Sequence, residues 1–199
     1  MRRLHQLSEG YLISIERLFS LTALKGANVE PIPKGRGVFS KEDALGVIAM
    51  VQKDHPIGVM LLEATITGNR RNLEPIESIL TQAFKAQGVE VSIANGLAKL
   101  VVCEVLGGNI CPKCKGTKVN YHRNGACKHC SGFGREQVTP KTLADSLSQY
   151  AGIAIGSDEF LARYNRPYMN GLTALYTHED KARQRAKKIL GIVAAIGVS

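Results

Sequence analysis

Two copies of Cys-x-x-Cys-x-Gly, at 111–116 and 127–132, constrain this chain more than any other feature of it. Twelve residues separate Cys114 from Cys127. Two residues between cysteines let both thiolates of a tight turn reach one tetrahedral ion, while amides of the turn donate to the sulfurs. The backbone must then swing away without a side-chain clash. Gly116 and Gly132, two places after the second cysteine of each pair, supply a residue that tolerates positive φ. A dozen residues suffice for a hairpin that turns one knuckle towards the other. The expected ligands are therefore Cys111, Cys114, Cys127 and Cys130, and the expected ion is zinc.

Disulfides would suit a secreted chain, but MRRLHQLSEGYLISIERLF at the start carries Glu9 and Glu16 and makes a poor secretory signal. A redox Cys-x-x-Cys expects a βαβ setting, which the flanking sequence does not offer. His122 and His129 are candidate substitutes for a cysteine ligand, with a solvent- or phosphate-facing histidine as the plainer role. A closed four-thiolate site keeps no open position for an activated water, so it reads as structural rather than catalytic. The late apolar run ILGIVAAIGVS is far shorter than the ~20 residues of a bilayer span, so a soluble, intracellular chain is expected.

Charge gathers around the same cysteines. Residues 111–141 hold seven basic side chains against Glu136, a net +6 of the chain's +9. Concentrated positive charge is the footprint of a phosphate-binding face. A second basic cluster, Lys181, Arg183, Arg185, Lys187 and Lys188, reads as the solvated side of a helix.

The rest of the chain, 44% hydrophobic and only 6% aromatic, reads as helices around an aliphatic core. Apolar residues at helical spacing run through 4–19, and GANVEPIPKGRGVFS (26–40) reads as a linker, suggesting a division into 1–38 and 39–199. Ser40 looks like the cap of a helix reaching about Gln52, and Pro56 opens another that stops near Gly68. Further helices are expected at 72–88, 92–108, 139–153 and 157–164 (the last capped by Ser157), then at 166–177 and 178–190. Leu143, Leu147 and Tyr150 mark the inner face of the 139–153 helix, and Cys103 reads as a small buried hydrophobe. The fold class is all-α, with a four-cysteine zinc finger inserted at 109–136.

The helices on either side of that insert can pack as a helix-turn-helix with an expanded turn. The second of them then presents Lys141, Thr142, Asp145, Ser146 and Gln149, the kind of polar side chains that read base edges in a major groove. Lys113, Lys115, Lys118, Arg123, Lys128 and Arg135 would straddle neighbouring phosphates. Duplex DNA is the expected partner. No phosphate loop, no His-Glu-x-x-His and no nucleophile paired with a base is legible, so an enzyme is not expected.

These residues carry two resemblances. The doubled Cys-x-x-Cys-x-Gly resembles the zinc modules of J-protein cochaperones, which carry four such units and a J-domain. This chain has two units and no His-Pro-Asp, so that likeness reads as local convergence. CPKCKGT and CKHCSGFG, set late in a helical chain and followed by a polar helix and RPYMNGLTALYTHEDKARQRAKKIL, resemble the late-gene antitermination protein Q of lambda-like bacteriophages. That resemblance implies zinc on Cys111, Cys114, Cys127 and Cys130, and binding to DNA overlapping a phage late promoter. It also implies engagement of paused bacterial RNA polymerase through sigma region 4 and the β flap, in the host cytoplasm, followed by read-through of terminators. Relative to the lambda member the loop between the knuckles is short, and Lys118 stands where a second glycine is expected. A protein-docking or chaperone-like zinc module, or an RNA-binding protein, are the alternatives.

Overall fold

Caps written into the sequence start several helices. The Ser40 hydroxyl accepts from the Asp43 amide at 3.1 Å while the Asp43 carboxylate accepts from the Ser40 amide at 3.0 Å. This reciprocal box opens helix α2, Lys41–Asp54. Pro56 occupies the first position of α3, Pro56–Thr67, which ends at Gly68 in the left-handed region. Thr139 caps α6, Pro140–Ala151, by accepting from the Thr142 amide, and Gly152 at φ 71° terminates it. The remaining elements are α1 (Ile15–Thr22), α4 (Glu74–Ala86), α5 (Val91–Gly107), α7 (Ser157–Glu159), a π-helical stretch Phe160–Tyr164, and α8 (Asn165–Ile196). In this computed structural model residues 14–22, 32–34, 37–71, 73–107, 111–117, 119–120, 125–132, 134–136 and 138–196 are described. Among the described residues the fold is all-α apart from two short hairpins, with a four-cysteine module inserted between α5 and α6.

Two compact units divide the chain. One comprises residues 1–70 and 176–199, the other residues 71–175. In the first, α1 packs on α2 and α3, and Ile15, Leu18 and Phe19 share one core with Val51, Leu62 and Ala182. The expected division after residue 38 therefore does not set the N-terminal helix apart. The apolar side chains of α1 are buried by the very helices that lie beyond the linker. Part of that linker is a hairpin, in which β1 (Ile32–Lys34) pairs antiparallel with β2 (Gly37–Phe39). The helical stripe expected from residue 4 lies outside the described residues up to residue 13.

Gly58 sets the approach of α3 to α8. A Cβ there would stand 2.2 Å from the His178 carbonyl oxygen and 2.7 Å from the Ala182 Cβ. On the same part of α8, Glu179 is 2% exposed and is neutralised by Arg183 at 2.9 Å. Arg183 also donates to Glu16 of α1 at 2.6 Å, and Arg185 to Asp54 at 2.7 Å. The second basic cluster is thus not simply solvated: two of its arginines hold helices together, while Lys181, Lys187 and Lys188 are exposed.

In the second unit α4 and α5 form a helical hairpin, and α5 packs on α6. Phe84, Leu97, Val101, Leu147 and Phe160 are fully buried there. Three expectations fail in this unit. Cys103 is exposed, because it continues the outward stripe Asn95, Lys99, Cys103 at four-residue spacing on α5. Tyr150 is 40% exposed, its hydroxyl donating to the Cys103 sulfur at 3.6 Å. Ser157 is the first residue of its helix, and Gly156 stands at the cap.

The helices expected at 166–177 and 178–190 are one helix, α8, since neither glycine nor proline intervenes where they were to part. Pro167, which has no amide proton, lies just beyond the π-helical stretch. There the Asn165 amide reaches back to the Phe160 carbonyl, widening the turn ahead of the proline ring.

Two glycines give opposite predictions. Alanine favours a helix over glycine by about 1 kcal/mol. Gly46→Ala on α2, where a Cβ meets nothing within 4 Å, should therefore stabilise the protein by about that amount in chemical denaturation. Gly58→Ala forces α3 off a backbone carbonyl and should destabilise by about 2 kcal/mol despite the same propensity gain.

Glu16 provides a pH test. Burial works to raise its carboxyl pKa, but the Arg183 guanidinium, the local amide and Ser14 together hold it below the ordinary range. A depressed carboxylate stabilises above its unfolded pKa and loses that contribution as pH falls. The stability gap between wild type and Glu16→Gln should be largest near neutrality and close towards pH ~3.

Candidate metal centre

Cys111 enters four residues beyond the last residue of α5. Each Cys-x-x-Cys pair folds into a tight turn, with the Lys115 amide donating to the Cys111 carbonyl at 2.8 Å and the Gly132 amide to the Cys127 carbonyl at 3.1 Å. The exits match: Gly116 and Gly132 sit at φ 84° and 82°, as expected for the residue that lets the chain turn away. The preceding residues are left-handed too, Lys115 and Ser131 both at φ 50°. That doubled left-handed step is not legible from spacing, since neither residue is glycine. Between the turns, β3 (Val119–Asn120) pairs antiparallel with β4 (Gly125–Ala126), the small hairpin the spacer length allows.

Gly134 joins the two turns. Its amide donates to the Cys130 sulfur at 3.2 Å and its carbonyl accepts from the Cys111 amide at 3.0 Å. The Gly-x-Gly of 132–134 was the available signal for it. Cys111 Sγ lies 4.0 Å from Cys127 Sγ and Cys114 Sγ 3.7 Å from Cys130 Sγ, and all four sulfurs fall within 4.8 Å of one another. A tetrahedron of ~2.3 Å metal–sulfur bonds has edges of about 3.8 Å. The separations are nearly twice the ~2.05 Å of a disulfide, and the cysteines are free thiols. All four are buried, and they are their own core cluster.

Burial pushes the Cys130 thiol up to about 11, with the Gly134 amide working the other way and the neighbouring sulfurs adding to the rise. A cation among the sulfurs reverses that balance, because a coordinating thiol is deprotonated outright. The cluster fits a soft, four-coordinate metal ion. His129 is exposed on the second knuckle and does not join it, and His122 lies outside the described residues.

The basic side chains separate into two groups. Lys113, Lys115 and Lys128 are exposed on the knuckles. Lys118 and Arg123 lie outside the described residues. Arg135 is half-buried and faces Glu104 of α5. Burial raises the Glu104 carboxyl above its ordinary value, and the Arg135 charge acts to lower it. Glu104 is thus an acid within electrostatic reach of Arg135 that sequence reasoning missed.

On α6, Lys141, Thr142, Asp145 and Gln149 are exposed and Ser146 is half-buried. The Thr142 hydroxyl is engaged at 2.9 Å with the Thr139 hydroxyl in the cap. The structure brings α5 and α6 together across the insert. A Cβ on Gly96 would lie 3.0 Å from the Ala151 nitrogen and 3.2 Å from Leu147 Cδ1, so the bare glycine permits their contact. Among the described residues, no helix is long and apolar enough to cross a membrane.

The family described as Conserved hypothetical protein CHP02642 matches the chain over residues 12–110 and again over 108–194. No curated protein matches it.

Cys127→Ser removes one of four thiolates from a module that, among the described residues, has no other buried cluster. Stoichiometric metal, measured by plasma mass spectrometry, should fall to near zero, with loss of protease resistance confined to 111–136. Retained stoichiometric metal would take Cys127 out of the ligand set.

Proposed function

We propose that this chain, which belongs to the CHP02642 family, is a zinc-stabilised, duplex-DNA-binding transcription antiterminator. The observation that carries this reading is the closed four-sulfur cluster, held between two packed helices and bearing outward lysines. Zinc suits the cluster because it takes four thiolates tetrahedrally without redox chemistry. Lys113, Lys115 and Lys128 on the knuckles and Lys141 at the start of α6 are all exposed, and they would supply the positive charge along the module and the helix after it.

In this reading the knuckle lysines contact phosphates, which position the protein without specifying sequence. Lys141, Asp145 and Gln149, at the N-terminal half and outer face of α6, contact base edges. Ser146, half-buried, and Thr142, engaged in the cap, contribute less. Arg135 acts through the placement of the module.

The polymerase step rests on the resemblance of CPKCKGT and CKHCSGFG to the antitermination protein Q family. It calls for contact with sigma region 4 and the β flap of a paused bacterial polymerase, and it needs no covalent chemistry. The protein would act by binding one state of the enzyme better than another.

Binding to duplexes should fall steeply with salt, with a log–log slope of about −0.9 per phosphate contacted. Lys141→Ala should weaken that binding by about 1 kcal/mol with metal content and helicity unchanged. Read-through of a terminator by purified bacterial polymerase, on templates with and without a cognate late promoter, tests the whole reading. Tighter binding to RNA than to any duplex at matched salt would move the function to the RNA-binding alternative.

A further inference from the structure

Helix α8 sorts its cations by their place round the axis. Ala182, Ala186 and Ile189 are buried and mark its inner side. At about 100° per residue, Arg183 and Arg185 fall on the two flanks of that side. Each is engaged there, Arg183 with Glu16 and Glu179, Arg185 with Asp54. Lys181, Gln184, Lys187 and Lys188 fall within about 120° of arc on the outward side, and all four are exposed. Among the described residues none of these three lysines makes an ion pair. Asp180, the acid next to Lys181, lies 4.0 Å from Arg183. Burial holds the His178 imidazole below its ordinary pKa, and the charges of Lys181 and His55 push it the same way. The positive charge of this side is therefore felt rather than cancelled.

Arginines set against acids and lysines left outward make a face for an anion from outside the fold. Its length and chemistry select the occupant. Lys181 to Lys188 spans seven residues, about 10 Å along the axis. A duplex carries one charge per ~1.7 Å of its axis, so about six phosphates fall on such a length. Gln184, among the lysines, can donate to a phosphate oxygen as well. An anionic membrane is the poorer match, because among the described residues α8 exposes no large apolar side chain to enter it.

We propose that the outward face of α8 bearing Lys181, Lys187 and Lys188 is a second phosphate-contacting surface for duplex DNA. It rests on the reading of this chain as a duplex binder, but it shares no residue with the cysteine module or α6, which belong to the other compact unit. Touching phosphates alone, it holds every sequence equally and leaves base readout elsewhere.

Fluorescence anisotropy of a labelled random-sequence duplex, titrated with the full, metal-loaded chain across a sodium chloride series, reads the contacts as a log–log slope. Lys181→Gln, Lys187→Gln and Lys188→Gln combined should lower that slope by about 2–3 and weaken binding at least about tenfold at about 0.1 M salt. The same three positions changed to arginine should keep the slope within about 0.5, since charge is what acts. Lys41→Gln, Lys85→Gln and Lys99→Gln combined remove equal charge from other exposed positions and should keep it too. Circular dichroism and metal content should be unchanged throughout. An α8 glutamine variant with the wild-type slope overturns the proposal, and so does a Lys41, Lys85 and Lys99 variant that loses as much, because net charge would then suffice. Lys113→Gln, Lys115→Gln and Lys128→Gln combined separate this surface from the module. Loss in that variant with none in the α8 variant overturns this inference and leaves the DNA reading standing. Loss in the α8 variant alone upholds the inference and takes the module's lysines out of the DNA reading. A wild type that binds no duplex at the lowest salt overturns both. A larger effect of the α8 variant on binding to polyglutamate, single-stranded RNA or anionic lipid vesicles than to duplex at matched salt overturns the choice of DNA.

Discussion

Four sulfurs gathered within 4.8 Å of one another, a set that could hold a metal ion, are the contact on which the middle of this protein depends. Between α5 and α6 the described chain has no buried apolar cluster other than Cys111, Cys114, Cys127 and Cys130 themselves. Such a segment is too short to gain from hydrophobic burial what it loses in backbone entropy. Coordination of a metal ion would replace that core; in finger peptides it contributes on the order of 10–16 kcal/mol. Were the ion zinc, as proposed, it would carry a net −2 with four thiolates, which the exposed Lys113, Lys115 and Lys128 would help offset. The lysines so placed to balance the cluster are also those that give the module its outward charge.

The two basic clusters show how little a count of charges decides. As sequence, the first reads as a phosphate-binding face and the second as the solvated side of a helix. In the structure Arg183 neutralises a buried Glu179 and pairs with Glu16, and Arg185 pairs with Asp54, so these two serve helix packing. The Arg135 charge acts on the half-buried Glu104 carboxyl. The knuckle lysines have no such acid built against them in the sequence around them, where Glu136 is the lone carboxylate of 111–141. Glu179 lies within a turn of Arg183, but Glu16 and Asp54 are distant in sequence, and no local window reveals them.

Local physics was legible and tertiary choice was not. Ser40 with Asp43, Thr139 with Pro140, and the glycines after α3 and α6 carry their helix boundaries in two or three residues each, and the boundaries stand where those residues put them. The cysteine cluster was legible for the same reason: ligand spacing is local chemistry. Cys103 was misjudged because its valine neighbours Val102 and Val105 are buried, while its own place on the helix follows Asn95 and Lys99 outward. The N-terminal helix was assigned to a separate piece because a glycine- and proline-rich stretch comes after it, yet its partners are α2 and α3. Only packing shows that. The continuity of α8 was hidden by charge: Glu179 and Asp180 after Thr177 resemble a fresh start, whereas Glu179 is instead the buried partner of Arg183 one turn on.

Gly134 carries one more consequence. Through its bond to the Cys111 amide it clasps the two ends of the module together. Thirty-two residues separate Gly107 from Pro140 along the chain. With the clasp shut, 111–134 no longer counts as slack, and eight residues remain as the effective tether. By loop-closure entropy that shortening favours the α5–α6 pairing by about 1 kcal/mol. A metal ion on the cluster would thereby be coupled, through the length of string between them, to the docking of two helices that supply none of its ligands.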